Sequence, residues 1–305
     1  MIYTVTFNPA IDYVMKLDDL KIGEVNRSIG EEIYVGGKGI NVSIVLNELG
    51  VKSRALGFCA GFTGAAIEKG IKSMGIESDF VHLESGNSRI NVKIRANAET
   101  ELNGQGPQIS REAIISLLER LDMMKEGDTL VLAGSIPNTL PENIYELILE
   151  RLSGKRIRFV VDATKDLLLN VLKFKPFLIK PNNFELGEMF NTTLKTNDEI
   201  ISCAKELQSR GAENVLVSMA GDGAILADAN GEVHVIGAPD GKVINSVGAG
   251  DSMVAGFIAG YMEKGDYAYA LHLGTAAGSA TAFSMELAKR DEIYRLLRTI
   301  QSGKE

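Results

Sequence analysis

The sequence predicts an α/β protein: a central, mostly parallel sheet flanked by helices, with a small antiparallel β subdomain beside it. Three observations carry this. Short β-rich runs alternate with longer helical patterns for most of the 305 residues, the order that builds a parallel sheet covered on both faces. Runs such as TLVLAG and RFVVDA are apolar nearly throughout, as strands buried on both sides must be. Two stretches, residues 12–34 and 89–102, depart from the alternation with a period-two character and no helix.

The elements follow in order. Residues 2–7 read as a strand, and residues 40–49 as a helix closed by Gly50. A strand over 53–58 and a helix over 65–74, closed by Gly75, repeat the unit; glycine suits the left-handed residue that ends many helices. Strands follow at 129–133 and 158–161, with a helix at about 142–152 between them. Further strands at 177–179, 215–218 and 224–227 surround a helix over 198–210. After Asp251 the chain is mostly helical. Residues 1–305 are expected to form one domain. The segments of about 12–34 and 89–102 would pair into its lid.

Composition narrows the function. A net charge of −8 argues against nucleic-acid binding, which concentrates Lys and Arg. Apolar residues at 45% supply a substantial core, and no run of about 18 apolar residues marks a membrane span. Cys59 and Cys203 lie far apart without metal-ligand spacing, which fits a reduced, cytoplasmic protein. The N-terminus shows no signal-peptide pattern. His82, His234 and His272 show no metal-binding spacing and read as structural or exposed.

Two glycine-rich segments carry the chemistry. Gly248-Ala249-Gly250-Asp251 precedes an apolar helix; its small residues allow a tight turn with accessible N–H groups. The positive end of the helix dipole adds to that anion site. A carboxylate there can take a proton from an attacking hydroxyl while the amides stabilise phosphoryl charge. In isolation, Asp251 could equally be a helix N-cap. The second segment, Gly36-Gly37-Lys38-Gly39-Ile40-Asn41, offers a cation and an amide before another helix. By itself it reads equally as a plain turn. Neither a Walker A sequence nor a G-x-G-x-x-G dinucleotide fingerprint is present.

Together the two segments resemble the PfkB, or ribokinase-like, carbohydrate kinase family nearly end to end, through its GGKGxN and GAGD motifs. The resemblance implies the ribokinase-like fold, with ATP and Mg²⁺ as cofactors. It also implies Asp251 as catalytic base, with Gly248, Ala249 and Gly250 forming the anion hole. Asn8-Pro9-Ala10-Ile11-Asp12 matches the family's NPAxD segment, whose Asp grips sugar hydroxyls. Gly36, Gly37, Lys38 and Asn41 would also contact the sugar. Lys180-Pro181-Asn182 with Glu185 matches the KPN-x-x-E element. There Lys180, Asn182 and Glu185 face the nucleotide phosphates, and Asn182 and Glu185 organise Mg²⁺ through water. Ser218, Ala220, Gly221 and Gly223 match the nucleotide loop, although Ala220 stands at a family glycine. That loop and the stretch 272–282 would complete an adenine pocket.

RINVK, NGQGP and GSIP point to the branch acting on ketohexose phosphates. Arg27, Lys38, Arg89 and Ser135 are the candidates for holding the substrate's existing phosphate. The implied reaction is ATP-dependent phosphorylation of fructose 1-phosphate, with tagatose 6-phosphate as the runner-up substrate. The resemblance further implies a homodimer paired through the lid, and the charge and the lack of a long apolar run imply no nucleic-acid or membrane partner. A non-catalytic sugar-phosphate sensor would be favoured by loss of Asp251, which is present. A dinucleotide oxidoreductase fits the alternation but lacks its fingerprint.

Overall fold

The computed structural model describes residues 1–303. The chain opens with β1 (Ile2–Thr6), β2 (Ala10–Lys16), β3 (Gly30–Gly36) and α1 (Lys38–Glu48). Next come β4 (Ser53–Ala60), α2 (Gly61–Ser73), β5 (Glu77–Ser78), β6 (Val81–Leu83), β7 (Arg89–Arg95) and β8 (Glu99–Asn103). The middle of the chain holds α3 (Arg111–Asp122), β9 (Thr129–Ala133), α4 (Ile144–Leu152), β10 (Arg158–Asp162), α5 (Lys165–Val171) and β11 (Leu178–Ile179). It continues with α6 (Asn183–Met189), α7 (Asn197–Ser209), β12 (Asn214–Ser218), β13 (Ala224–Ala227) and β14 (Val233–Ile236). Three helices close it: α8 (Ala249–Lys264), α9 (Tyr267–Ala282) and α10 (Arg290–Gln301).

The main sheet has the order β14-β13-β12-β11-β10-β9-β1-β4-β5, with β6 also on β4. It is parallel from β5 to β12, and only β13 and β14 turn antiparallel at one edge. Alternate residues of the buried strands serve opposite faces. Val5, Leu130, Leu132, Phe159 and Val161 pack under the layer from α3 to α7. Ile2, Val131, Val160 and Leu216 pack under α1, α8, α9 and α10. This is why these strands carry no polar alternation in sequence.

A second sheet of four strands has the order β3-β2-β7-β8. Each outer pair is an antiparallel hairpin, and the hairpins join through a parallel β2–β7 pairing. The joint places Asp12 opposite both Tyr34 and Asn91. One face of this sheet therefore carries Asp12, Tyr34, Asn91 and Lys93, and the other carries Ile33, Ile90 and Leu102.

Helices α3, α5 and α6 and strands β5, β6 and β14 lie outside the elements the sequence predicts. Five of the six are at most four residues long or a bare two turns of helix, too short for a periodic signal. Helix α3 is different, because Ser110 caps it by accepting the N–H of Ala113 and its apolar stripe is regular. No helix among the described residues is long and apolar enough to cross a membrane. Cys59 is buried, Cys203 is partly so, and both are free thiols.

Leu130 is fully buried in the central sheet. Leu130→Ala is expected to lower the unfolding free energy by roughly 2–5 kcal/mol through lost transfer energy and the cavity left behind. Urea denaturation checks this: the midpoint falls while the slope stays unchanged.

Candidate active site

From β1 the chain winds out to β4, then returns past β1 to β9 on its other side. A crevice opens at such a reversal, beyond the carboxyl ends of the strands. Helix α1 starts there, anchored by the Ile40 N–H, which donates to Thr6 Oγ1 at 3.0 Å. Helix α8 starts beside it. Its N-cap is Gly248 at φ +80°, a left-handed conformation suited to glycine, and a Cβ at that position would meet Leu287 Cδ2 at 2.6 Å. Asp251 is therefore in the first turn of α8 and is not its cap. The small residues Ala249 and Gly250 fill the two positions between.

Four charged groups meet in this crevice. Asp162, at the end of β10, places Oδ2 3.2 Å from Lys38 Nζ and Oδ1 3.3 Å from Lys180 Nζ. Lys180 follows β11 and is 5% exposed. A Cβ on Gly250 would lie 3.2 Å from Lys180 Nζ, so the ammonium abuts the turn that opens α8. Asp251 is 5% exposed, and its Oδ2 accepts a hydrogen bond from Asn41 Nδ2 at 2.8 Å.

The charges determine one another's ionisation. Burial alone would raise Asp162, but the ammoniums of Lys180 and Lys38 outweigh it and hold this carboxyl below its usual range. Burial opposes the charge of Lys38, and the carboxylates of Asp162 and Asp251 reverse that and raise it. Asp251 is pushed up to about 6, first by burial and then by Asp162, against the opposing pull of Lys38, Asn41 and Lys180. A carboxylate tuned toward neutrality is one suited to taking a proton.

A cavity of about 460 Å³ extends from this centre along the four-stranded sheet, lined by Asp12, Tyr34, Asn41, Lys93, Val247 and Leu287 among others. Gly36 ends β3 against Asp12, and Gly37 caps α1. Arg89 opens β7 and donates through Nε to the Asn8 carbonyl at 3.0 Å. Its guanidinium is lowered by burial, with Asp12 opposing, and makes no ion pair among the described residues. Ser135 is exposed beyond β9, after Gly134, which packs against the Lys38 side chain. Arg27 does not join this group. It is exposed on the loop between β2 and β3. That loop leaves from Lys16 and returns at Gly30, four residues beyond Asp12, or about 13 Å along the strand.

On the other side, Asn182 and Glu185 form a reciprocal capping box at α6. Asn182 Oδ1 accepts the Glu185 N–H, and a Glu185 carboxylate oxygen accepts the Asn182 N–H, each at 2.8 Å. One Glu185 oxygen remains outside the box. A single hard oxygen of this kind could hold Mg²⁺, which keeps most of its waters. Ser218 pairs with Asn182 and starts the turn that holds Ala220, Gly221 and Gly223. Ala220 is at φ +50°, so the alanine found where the family pattern has glycine occupies a left-handed position.

Asp162, Asn91 and Lys93 are site residues that the sequence reading omits. Asp162 had a signal, a lone carboxylate at the end of the buried run RFVVDA. Asn91 and Lys93 needed the β2–β7 register. A further group forms at the β13–β14 turn, where His234 Nε2 is 2.9 Å from Asp228 Oδ2 and 3.9 Å from Glu232 Oε2. Asp228 Oδ1 there accepts the N–H groups of Asn230 and Glu232, which makes it a turn-building residue.

The family model for pfkB family carbohydrate kinases matches residues 5–291. The chain is 47% identical over 301 residues to a protein named 1-phosphofructokinase from Bacillus subtilis strain 168, covering 99% of each. It is 38% identical over 303 residues to one named D-tagatose-1-phosphate kinase from Bacillus licheniformis, again covering 99% of each. Among solved structures, phosphofructokinase-2 from Escherichia coli in complex with substrates and products aligns with a TM-score of 0.91 at 25% identity, covering 98% of this chain and 99% of that one.

Because Asp251 titrates near 6 in the fold against an ordinary 3.8, its charged form costs stability. The fold is favoured by this group below pH 4 and loses that advantage as pH rises through 6. Asp251→Asn is therefore expected to raise Tm at pH 8, by the equivalent of about 3 kcal/mol. The gap should close as pH falls toward 4. Melting curves across that range test it, and a gap independent of pH would refute the assignment of the titration to Asp251.

Proposed function

The chain belongs to the pfkB family of carbohydrate kinases, and from that premise we propose that it phosphorylates fructose 1-phosphate at the C6 hydroxyl, using ATP. The observation that carries the proposal is Asp251, a buried carboxylate pushed up to about 6 in the first turn of α8. Two lysines that share Asp162 lie beside it.

Asp251 takes the C6 hydroxyl proton as that oxygen bonds to the γ-phosphorus. The bond from the γ-phosphorus to the bridging oxygen breaks, and ADP leaves with the electron pair. The amides of Gly248, Ala249 and Gly250 donate to the γ-phosphoryl oxygens, and Lys38 and Lys180 offset their charge. Mg²⁺ supplies further neutralisation when it arrives with ATP. Asn182 and Glu185 would hold it through water. The turn from Ser218 through Ala220, Gly221 and Gly223 covers the nucleotide.

Asp12, Gly36, Gly37 and Asn41 bind the sugar, and Arg89 with Ser135 takes its existing phosphate, since Arg89 is a half-buried cation without a carboxylate of its own. The four-stranded sheet acts as the lid and excludes water. A second reading, D-tagatose 1-phosphate, is favoured by the name of one relative. It displaces tagatose 6-phosphate as the runner-up, because both named relatives take the phosphate on C1.

The lid face away from Asp12 exposes Ile33 at 65%, Ile90 at 41% and Leu102 at 58%. A second copy covers this face in a lid-to-lid dimer. Arg27, too far along its own lid, then serves the site of the partner. Two free thiols fit a cytoplasmic enzyme.

A coupled ADP-release assay should give Asp251→Asn a turnover lower by roughly 10²–10⁴-fold, with ATP affinity changed less than about twofold. Fructose 1-phosphate should be preferred over tagatose 1-phosphate, and the reverse order would support the second reading. Mixing Arg27→Ala with Asp251→Asn protein should restore a normal KM in part of the population. Unchanged kinetics on mixing would refute action of Arg27 across the dimer.

A further inference from the structure

On that reading of the sugar site, strand β7 presents a row of side chains on the face that carries Asp12: Arg89, Asn91, Lys93 and Arg95, about 7 Å apart. The outer two are engaged, Arg89 with the Asn8 carbonyl and Arg95 with Glu99 at 3.1 Å. The inner two flank Asp12. Asn91 Nδ2 donates to Asp12 Oδ1 at 2.8 Å, which fixes the carboxylate and leaves Oδ2 for other partners. The Oδ1 atom of Asn91 is buried with no hydrogen-bond partner among the described residues.

Lys93 has the less satisfied position. Its side chain is 9% exposed, yet the nearest carboxylate oxygens, Asp12 Oδ2 and Glu101 Oε1, are both 3.7 Å from Nζ, too far for a direct hydrogen bond. An ammonium so nearly buried, with three donors and no acceptor at bonding distance among the described residues, is costly unless something else supplies one. Lys93 lines the 460 Å³ cavity together with Asp12 and Asn41, so a ligand in that cavity can supply it.

We propose that Lys93 is a specificity-determining residue that donates to the oxygen of the sugar hydroxyl whose proton Asp12 accepts, with Asn91 positioning Asp12 for the purpose. A hydroxyl carries one donor and two acceptor lone pairs. An oxygen about 2.8 Å from both Lys93 Nζ and Asp12 Oδ2 spans the gap between them. The local charge selects a hydroxyl over a phosphate, because one ammonium stands between two carboxylates and the cluster is net negative. A phosphate would be repelled there and belongs at Arg89. The pair reads both the presence and the orientation of one hydroxyl, since an inverted centre loses the donor and the acceptor together.

The test deletes the hydroxyl and the residue separately and together, using 3-deoxy- and 4-deoxyfructose 1-phosphate with wild type and Lys93→Met. In wild type, one of the two analogues should lower kcat/KM by about 50-fold or more. In Lys93→Met the same deletion should cost less than about fivefold, with KM for ATP within about twofold of wild type. A residue that only supports the fold would lower Tm and leave the deoxy penalty intact, and that result overturns the proposal. Should Lys93→Met fail to fold, Lys93→Gln goes through the same cycle under the same criteria. Absence of wild-type turnover on fructose 1-phosphate would overturn the substrate reading and this one with it. Wild-type turnover with equal deoxy penalties in both enzymes overturns this one alone.

Discussion

Asp162 lies with one carboxylate oxygen against the more exposed Lys38 and the other against Lys180, and neither Asp162 nor Lys180 could be buried here alone. An unpaired charge in such a crevice would neutralise or draw in water. Shared, the three charges pin the start of α1 to the ends of β10 and β11, the places where a parallel sheet leaves its strand ends open. Asp251 enters as a fourth charge with no ammonium of its own at bonding distance. Its displaced ionisation follows first from burial and then from the nearby charge of Asp162, which the two lysines, both engaged by Asp162, only partly offset.

Much of this was legible before any coordinates. Apolar strands without alternation gave the parallel sheet, and the two glycine-rich turns gave the helix starts that meet at the crevice. The prediction failed where the signal was short or shared between distant segments. A seven-residue helix such as α6 has no period to detect, although its Asn182 and Glu185 cap spacing was in view. Asp162 was hidden because it ends a run that reads as core. Asn91 and Lys93 gain meaning only through their register with Asp12, across more than seventy residues of chain.

Some residues carry two roles. Asn182 and Glu185 hold a helix end by reciprocal hydrogen bonds, and the same geometry leaves one Glu185 carboxylate oxygen outside the capping box, free for the role proposed for it. Gly250 leaves room for Lys180, whose Nζ would lie 3.2 Å from a Cβ there, and it carries one of the amides in the proposed anion hole. Ala220 shows the opposite economy. It holds a left-handed conformation that costs an alanine about 1–2 kcal/mol, and the neighbouring bond from the Met219 N–H to the Gly223 carbonyl keeps the turn closed.

The parallel joint between β2 and β7 has a consequence for how the molecule comes into being. Each hairpin of the small sheet is local in sequence and can close early. Their union brings together residues 10–16 and 89–95, and everything between them, including α1, β4 and α2, has to be in place first. Non-local parallel pairings of this kind carry the entropy of closing a long loop and form slowly. The surface around Asp12 is therefore assembled late, after both of its hairpins have closed.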